Sequence, residues 1–318
     1  MQQIERRSSE ERYREAFAAA GLHKSHLVSP VFVSEKPSKI DAMPGMAVMP
    51  LGKLSQHIQS IADSGISSII VFGIPKSRNS SGSAAADRNG IVQQAVRAIK
   101  SSFGASICIA TDVCICQYNL SGHCGLVRND DRVDNDSTLD MLAEIASSHA
   151  EAGADIVAPS SMMDGQVFAI KSALSSRGLK ATRILSYSAK HASSLYTPFR
   201  SAAFARPSLP IDKSSYQVSY ANPGQALMEV ETDINEGADM VMIKPALAYL
   251  DLVRMVKDRF DLPVAVQNVS GEYAMIKAAA MKGWIDEEEW KVFSLASIRR
   301  AGADRIVSYF SLDAAKYL

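Results

Sequence analysis

Two lysines in the chain follow strand-like runs, Lys190 in Ser-Tyr-Ser-Ala-Lys-His and Lys244 in Met-Val-Met-Ile-Lys-Pro. An amine removed from water is costly to charge, so its pKa falls and a fraction of it is neutral near pH 7. A neutral amine attacks a carbonyl carbon and forms a Schiff base. We expect each of these lysines to depress the pKa of the other. Two such amines predict an enzyme that handles two carbonyl substrates together.

A second reactive group is the cysteine-rich stretch that follows the third strand-like run. Cys114, Cys116 and Cys124 have the spacing Cys-x-Cys-x7-Cys. Three thiolates from one loop are suitable zinc ligands, and three protein ligands leave a fourth position for water or substrate, as in catalytic zinc sites. Reduced thiols without a metal are the alternative. We expect His123 to pack the loop or to support the ligands through a hydrogen bond, with direct binding of the ion as the alternative, and Cys108 to belong to the core.

The elements that must position these residues alternate along the chain. Short, nearly continuous apolar runs are separated by amphipathic, helix-length stretches, as expected for parallel strands covered on both faces. This alternation predicts an α/β fold, a (β/α)8 TIM barrel, which places its chemistry at the C-terminal ends of its strands. A doubly wound open sheet is the alternative, although no Gly-x-Gly-x-x-Gly motif opens the first unit. The predicted strands cover residues 29–33, 67–73, 106–113, 154–160, 183–188, 239–245, 263–269 and 304–310.

Three segments lie outside this alternation. Residues 1–28 are a predicted N-terminal arm before the catalytic barrel of residues 29–318, and the helix expected over residues 10–20 either caps the barrel or reaches a neighbouring subunit. Residues 76–90 are rich in small polar residues and predict a mobile loop. Residues 196–216 carry three prolines together with Arg200, Arg206 and Lys213. That composition predicts a lid over a carboxylate substrate, with a solvated surface loop as the alternative.

The bulk composition excludes several classes of protein. Lys plus Arg and Asp plus Glu both total 34, so the net charge is zero and gives no electrostatic reason to bind nucleic acid or an anionic membrane. No apolar run approaches the ~20 residues of a membrane helix. The polar N-terminus lacks the apolar core of a signal peptide. We therefore predict a cytoplasmic protein, and four clustered cysteines indicate metal or redox chemistry rather than a disulfide scaffold.

Several motifs follow one another between about residue 30 and the C-terminus. They are Asp-Val-Cys-x-Cys with Gly-His-Cys-Gly, Ser-Tyr-Ser-Ala-Lys, Tyr-x-Pro-Phe-Arg, Gly-Ala-Asp-Met-Val-Met-Ile-Lys-Pro and Val-Ser-Gly-Glu-Tyr-Ala-Met. In sequence and in order these motifs resemble the porphobilinogen synthase family, also called 5-aminolevulinate dehydratase. The resemblance implies a (β/α)8 barrel with an N-terminal arm, assembled into a homo-octamer from arm-swapped dimers. It also implies the condensation of two 5-aminolevulinate molecules to porphobilinogen, with loss of two waters, in tetrapyrrole (heme) biosynthesis.

The resemblance also implies a role for individual residues. Lys244 matches the lysine of the first substrate, whose carboxylate faces Ser270 and Tyr309, and Lys190 matches the lysine that binds or polarises the second. Asp112 matches a pocket residue that assists proton transfer or orients an amine. The remaining matches are Tyr196 in the pocket, Arg200, Lys213 and Gln217 on the lid, Cys114, Cys116 and Cys124 as the zinc ligands of the zinc-dependent branch, and Glu229 as an allosteric magnesium position.

Some positions depart from the family pattern. Ser161 and Gln166 stand where the family usually has an aspartate and an arginine, and Gln117 replaces a common proline in the cysteine loop. The departures put the assembly and its regulation in question more than the reaction. Two alternatives follow: another class I Schiff-base aldolase or dehydratase that uses Lys244 alone, and a non-catalytic metal-binding paralogue.

Overall fold

Parallel strands form a closed barrel in the computed structural model, which describes residues 8–202 and 212–318. Each strand pairs with the next along the chain, and the first pairs with the last through Leu27–Ile306 and Val28–Val307. The predicted (β/α)8 barrel is therefore confirmed, and all eight predicted strands are present. They are β1 (Leu27–Ser34), β2 (Ser68–Gly73), β3 (Cys108–Val113), β4 (Ile156–Pro159), β5 (Arg183–Lys190), β6 (Met240–Lys244), β7 (Val264–Asn268) and β8 (Arg305–Ser308).

Helices pack around the strands and cover their outer faces. Their apolar residues recur with helical spacing, as in the helix that begins at Ile91, where Val92, Ala95, Val96 and Ile99 are buried. The helices are α1 (Ser9–Ala20), α2 (Leu51–Asp63), α3 (Ile91–Phe103), α4 (Asn135–Glu151), α5 (Gln166–Ser176), α6 (Thr197–Ala202), α7 (Pro223–Asn235), α8 (Leu250–Arg259), α9 (Ser270–Met281), α10 (Glu287–Ala301) and α11 (Ser311–Ala314).

A repeated Gly-Ala-Asp sequence closes the N-terminal end of the barrel at three places. Its glycine predicts the end of a helix, and each glycine does follow one, as Gly237 follows α7 with a φ of 103°. Each aspartate then accepts a hydrogen bond from a backbone N–H of the preceding strand and pairs with a lysine. These contacts join Asp155 to Ile109 and Lys100, Asp239 to Ile184 and Lys171, and Asp304 to Val264 and Lys257.

The predicted N-terminal helix is present as α1. Ser8 caps it and forms a reciprocal capping box with Glu11. The helix lies against α10, where the hydroxyl of Tyr13 donates to Asp286 at 3.3 Å and its ring packs on Tyr317. Residues 1–7 of the predicted arm lie outside the described residues, so contact with a neighbouring subunit stays a prediction.

The two predicted loops both lie beside the C-terminal strand ends. Residues 76–90 contain one short 3-10 turn, Ser83–Ala85, and Asn79 bridges to Asn119 in the cysteine loop. The predicted lid begins with the turn Ser194–Tyr196 and α6, and it resumes at residue 212; its middle, with Arg206, lies outside the described residues. Within the described chain, none of the helices has the length and apolar character to span a bilayer.

Candidate active site

The two lysines face one another across neighbouring strands at the C-terminal end of the barrel. Lys190 ends β5, Lys244 ends β6, and their Cα atoms are register partners in the parallel pairing. An irregularity between Val241 and Ile243 shifts this register. Each lysine is 7% exposed and lines the same cavity. The fold therefore brings together the two amines that the sequence places 54 residues apart.

Aromatic rings surround the amine of Lys244. Its Nζ lies 5.1 Å from the ring centroids of Tyr187 and Tyr196 and 5.7 Å from that of Phe199. Burial disfavours the charged form, the Lys190 cation adds repulsion, and together they lower the pKa of Lys244 to about 7. Near neutral pH a large fraction of this amine is therefore the neutral nucleophile.

Lys190 has a different electrostatic environment. Burial again disfavours its charge, but the cysteine sulfurs and Asp112 outweigh burial and raise its pKa above the ordinary value. Its Nζ donates to the backbone oxygen of Ser160. The expectation that one lysine lowers the pKa of the other is confirmed for Lys244. For Lys190 the net shift is upward, because the cysteine loop reaches the end of β5.

Asp112 is buried beside the two amines at the end of β3. The Ser160 hydroxyl donates to one of its oxygens at 2.7 Å and the Gln117 amide to the other at 3.0 Å. Burial raises the pKa of the carboxyl, although both hydrogen bonds favour the anion. A carboxyl with a raised pKa at this position is suited to exchanging a proton with a bound amine or carbonyl.

The three predicted thiol ligands meet in one buried cluster. The sulfur atoms of Cys114, Cys116 and Cys124 all lie within 4.8 Å of one another. Thiol hydrogen bonds from the other two cysteines, helped by the Lys190 and Lys213 cations, lower the pKa of Cys124 well below its ordinary value. The chemistry of this donor set fits a thiophilic metal ion, so the cluster could hold one.

His123 and Cys108 are not part of this cluster. His123 is buried, and its Nδ1 lies within hydrogen-bonding distance, 3.2 Å, of the hydroxyl of Tyr216. Cys108 lies at the start of β3, far from the other cysteines, and is part-buried rather than fully in the core.

The described end of the lid packs directly on the cysteine loop. Lys213 Nζ donates to the backbone oxygen of Gly122 at 2.8 Å and lies 3.8 Å from the sulfur of Cys124. Arg200 and Gln217 line the lysine cavity with it, and the Arg200 guanidinium lies 5.8 Å from the Tyr196 ring centroid. The predicted lid cations Arg200 and Lys213 therefore lie at the mouth of the site.

Ser270 and Tyr309 are buried close to the lysine cavity but do not line it. The Ser270 hydroxyl donates to the backbone oxygen of Leu195 at 3.1 Å and accepts from the Phe199 N–H at 3.0 Å. Tyr309 stacks parallel to Phe32 with centroids 6.2 Å apart. Ser270 thus anchors the start of the lid in this state.

His191 is a site residue that the sequence reasoning did not single out. Its backbone N–H donates to the Lys244 carbonyl at 2.9 Å, and its Nδ1 lies 3.4 Å from the same oxygen. Its ring stacks on Tyr249 at 3.8 Å, and its backbone bridges to Val218 behind the lid. Its position directly after Lys190 was the available signal. Ser160, which directly follows β4 and lines the lysine cavity, is a second site residue that the sequence reasoning did not single out.

Glu229 lies in a separate cavity on the outer side of the lid. Asp164, Asp233 and Gln166 line the same cavity. Burial and the neighbouring carboxylates raise the pKa of Glu229. Ser161, three residues before Asp164, is buried, and its hydroxyl has no hydrogen-bond partner among the described residues. The structure does not bring Glu229 to the lysines.

A (β/α)8 barrel with paired buried lysines beside a three-thiol cluster defines an enzyme equipped for amine–carbonyl chemistry. The family model for delta-aminolevulinic acid dehydratase matches residues 1–317, and the chain belongs to that family. The resemblance inferred from the motifs is confirmed.

Individual relatives agree with this assignment. The chain is 47% identical over 317 residues to the delta-aminolevulinic acid dehydratase of Archaeoglobus fulgidus, covering 98% of this chain and 97% of the relative. It is 44% identical over 308 residues to that of Bacillus subtilis, covering 96% and 94%. Among solved structures, the porphobilinogen synthase of Toxoplasma gondii in complex with porphobilinogen superposes with a TM-score of 0.91 at 35% identity, covering 100% of this chain and 93% of that one.

Proposed function

We propose that the enzyme condenses two molecules of 5-aminolevulinate to porphobilinogen with release of two waters. The observation that carries this proposal is the pair of register partners Lys190 and Lys244, two amines of unlike protonation in one cavity. One cavity with two carbonyl-binding amines turns a bimolecular condensation into an effectively unimolecular reaction. The Toxoplasma gondii relative was solved with the product of the same reaction.

Lys244 is the proposed nucleophile. With a pKa of about 7 it attacks the ketone of the first substrate, the ketone oxygen leaves as water, and a Schiff base remains. Loss of a proton from that Schiff base gives an enamine, a carbon nucleophile for the second substrate. The rings of Tyr187, Tyr196 and Phe199 exclude water that would hydrolyse the imine.

Lys190 is the proposed partner of the second substrate. Its raised pKa keeps the amine charged, so it donates a hydrogen bond to the carbonyl and polarises it. Asp112 lies beside both amines and is held in place by Ser160 and Gln117. We assign it the proton transfers of the condensation, because its carboxyl has a raised pKa.

Zinc is the proposed metal of the cysteine cluster. Cys114, Cys116 and Cys124 would hold it, since three sulfur ligands are suited to Zn²⁺ and leave a position for substrate. When bound, zinc supplies a Lewis acid for an oxygen of the second substrate. Lys213 and Lys190 lie beside the thiolates and offset part of their charge.

The substrate carboxylates are assigned to two groups of residues. Arg200, Lys213 and Gln217 would bind the carboxylate of the second substrate at the mouth of the cavity. Ser270 and Tyr309 would bind that of the first, which requires the Ser270 hydroxyl to exchange its contact with Leu195 for the substrate. The start of the lid would therefore shift when the first substrate binds.

Three further proposals concern regulation, assembly and location. Glu229 would bind an activating Mg²⁺ with few protein ligands and several waters, because the carboxylates of Asp164 and Asp233 are near. The exposed Trp284 and Phe293 support self-association, and the family resemblance implies a homo-octamer built from dimers. Four free cysteines support a cytoplasmic location.

The proposed reaction is tested by incubating the zinc-loaded protein with 5-aminolevulinate and measuring pyrrole formation with an acidic aldehyde reagent. We expect pyrrole to accumulate with two substrate molecules consumed per product. Absence of pyrrole from folded, zinc-loaded protein would overturn the proposal. A borohydride-trapped Lys244 adduct without self-condensation would instead indicate an aldolase that uses one lysine.

A further inference from the structure

A second cavity lies inside the barrel at the end opposite the lysines. Inward-facing residues at the N-terminal ends of the strands enclose a volume of about 190 Å³. Ala110 and Ala265 are small, so they leave space that Val28, Leu185 and Val307 do not fill. On β3, Cys108 and Ala110 line this cavity and Asp112 lines the lysine site, so the two cavities occupy opposite ends of one barrel interior.

Two arginines give this apolar cavity a cationic rim. Arg183 and Arg305, at the starts of β5 and β8, both line it. Arg305 donates to the backbone oxygen of Asp304 at 2.9 Å, and neither guanidinium forms an ion pair within residues 8–202 and 212–318. The aspartates at this end of the barrel are already paired with Lys100, Lys171 and Lys257.

We propose that this cavity binds a carboxylate with a short, unbranched apolar chain. The guanidinium fork matches the geometry of a carboxylate, and the apolar wall removes the chain from water. An apolar cavity of about 150 Å³ already holds benzene, so a chain of roughly six to eight carbons is the expected limit here. The inference does not depend on the proposed reaction, because none of these residues contacts the lysine site.

Cys108 provides a direct readout of occupancy, because its thiol lines the same cavity and is part-buried. The zinc-loaded protein is treated with iodoacetamide, and alkylation of Cys108 is followed by fragment-ion mass spectrometry with butanoate, hexanoate or octanoate present. We expect protection, with the dissociation constant falling about fourfold for each added methylene until the cavity is full.

Matched variants separate this cavity from the catalytic one, which also has a cationic residue at its mouth. R183Q and R305Q should each weaken octanoate protection at least about fivefold, since each removes a charge-assisted hydrogen bond. R200Q should leave protection of Cys108 unchanged. Unchanged thermal unfolding of R183Q, whose side chain is exposed, verifies its fold.

The proposal is contradicted if octanoate does not protect Cys108, if hexylamine protects as well as hexanoate, or if R200Q abolishes protection while R183Q and R305Q do not. A dissociation constant that is independent of chain length also contradicts it, because the apolar cavity would then not hold the chain.

Discussion

Lys190 and Lys244 are direct register partners at the ends of β5 and β6, yet their pKa values move in opposite directions. Burial and the Lys190 cation lower the pKa of Lys244 to about 7, whereas the cysteine sulfurs and Asp112 overcome burial and raise that of Lys190. The neighbouring amines are therefore suited to different tasks, one as a nucleophile and one as a charged donor.

The first prediction concerns the pH dependence of Schiff-base formation. Because the neutral amine is the reactive form, the initial rate of borohydride trapping should rise with pH and level off above about pH 7. Lys244→Met should abolish trapping and lower pyrrole formation by roughly three orders of magnitude or more. A trapping rate that keeps rising about tenfold per pH unit up to pH 9 would show that Lys244 has no lowered pKa.

The second prediction concerns stability. Between its folded pKa of about 7 and its ordinary value of 10.5, Lys244 binds more protons in the unfolded state than in the folded state. Stability of the wild type relative to Lys244→Met should therefore increase through that window, by up to about 1.4 kcal/mol per pH unit. Denaturant unfolding of both proteins at pH 6.5, 8 and 9.5 measures this difference. A difference that stays constant with pH would refute it.

The barrel was predictable from the sequence because its signals are local. Apolar runs such as Met240–Lys244 mark strands buried on both faces, and the glycine after α7 marks the end of a helix. The cysteine cluster was also predictable, since all three cysteines belong to one loop. Each of these features depends on residues close together in the chain.

Features that depend on distances between separate strands were not predictable. The raised pKa of Lys190 requires the loop after β3 to reach the end of β5, across β4. The contact of Ser270 with Leu195 and the stacking of His191 on Tyr249 join segments far apart in the chain. Residue types alone do not report such proximity.

The third prediction concerns metal binding. Cys124→Ser should weaken zinc binding at least about a hundredfold, because loss of a ligand costs more than loss of an outer-shell partner. Cys108→Ser is the matched control and should keep the wild-type affinity, since Cys108 lies outside the cluster. Competition with a chromophoric chelator measures both. Equal affinities for the two variants would place the metal elsewhere.

The fourth prediction concerns His191 as a positioning residue. His191→Phe keeps an aromatic ring for stacking on Tyr249 but loses the Nδ1 contact with the Lys244 carbonyl. Loss of one such contact should lower kcat about two- to fivefold with little change in KM. The pH midpoint of borohydride trapping at Lys244 should shift as well. An unchanged profile with unchanged kcat would limit His191 to packing.

The fifth prediction concerns the carboxylate of the first substrate. Ser270→Ala should raise KM about fivefold with kcat nearly unchanged, because a ground-state hydrogen bond is lost. Ser147→Ala is the control, since Ser147 is equally buried and its hydroxyl has no partner among the described residues. Steady-state kinetics with 5-aminolevulinate distinguish them. Equal KM values for Ser270→Ala and Ser147→Ala would show that Ser270 does not bind the substrate carboxylate.

The most direct test of the paired-lysine site is to identify the lysine that is labelled first. The zinc-loaded enzyme is mixed with less than one equivalent of isotopically labelled 5-aminolevulinate, reduced with borohydride, digested and sequenced by mass spectrometry. We predict that the label is on Lys244, whose neutral amine faces its register partner Lys190. Label on Lys190 alone, or on a lysine outside the cavity while pyrrole still forms, would contradict this assignment.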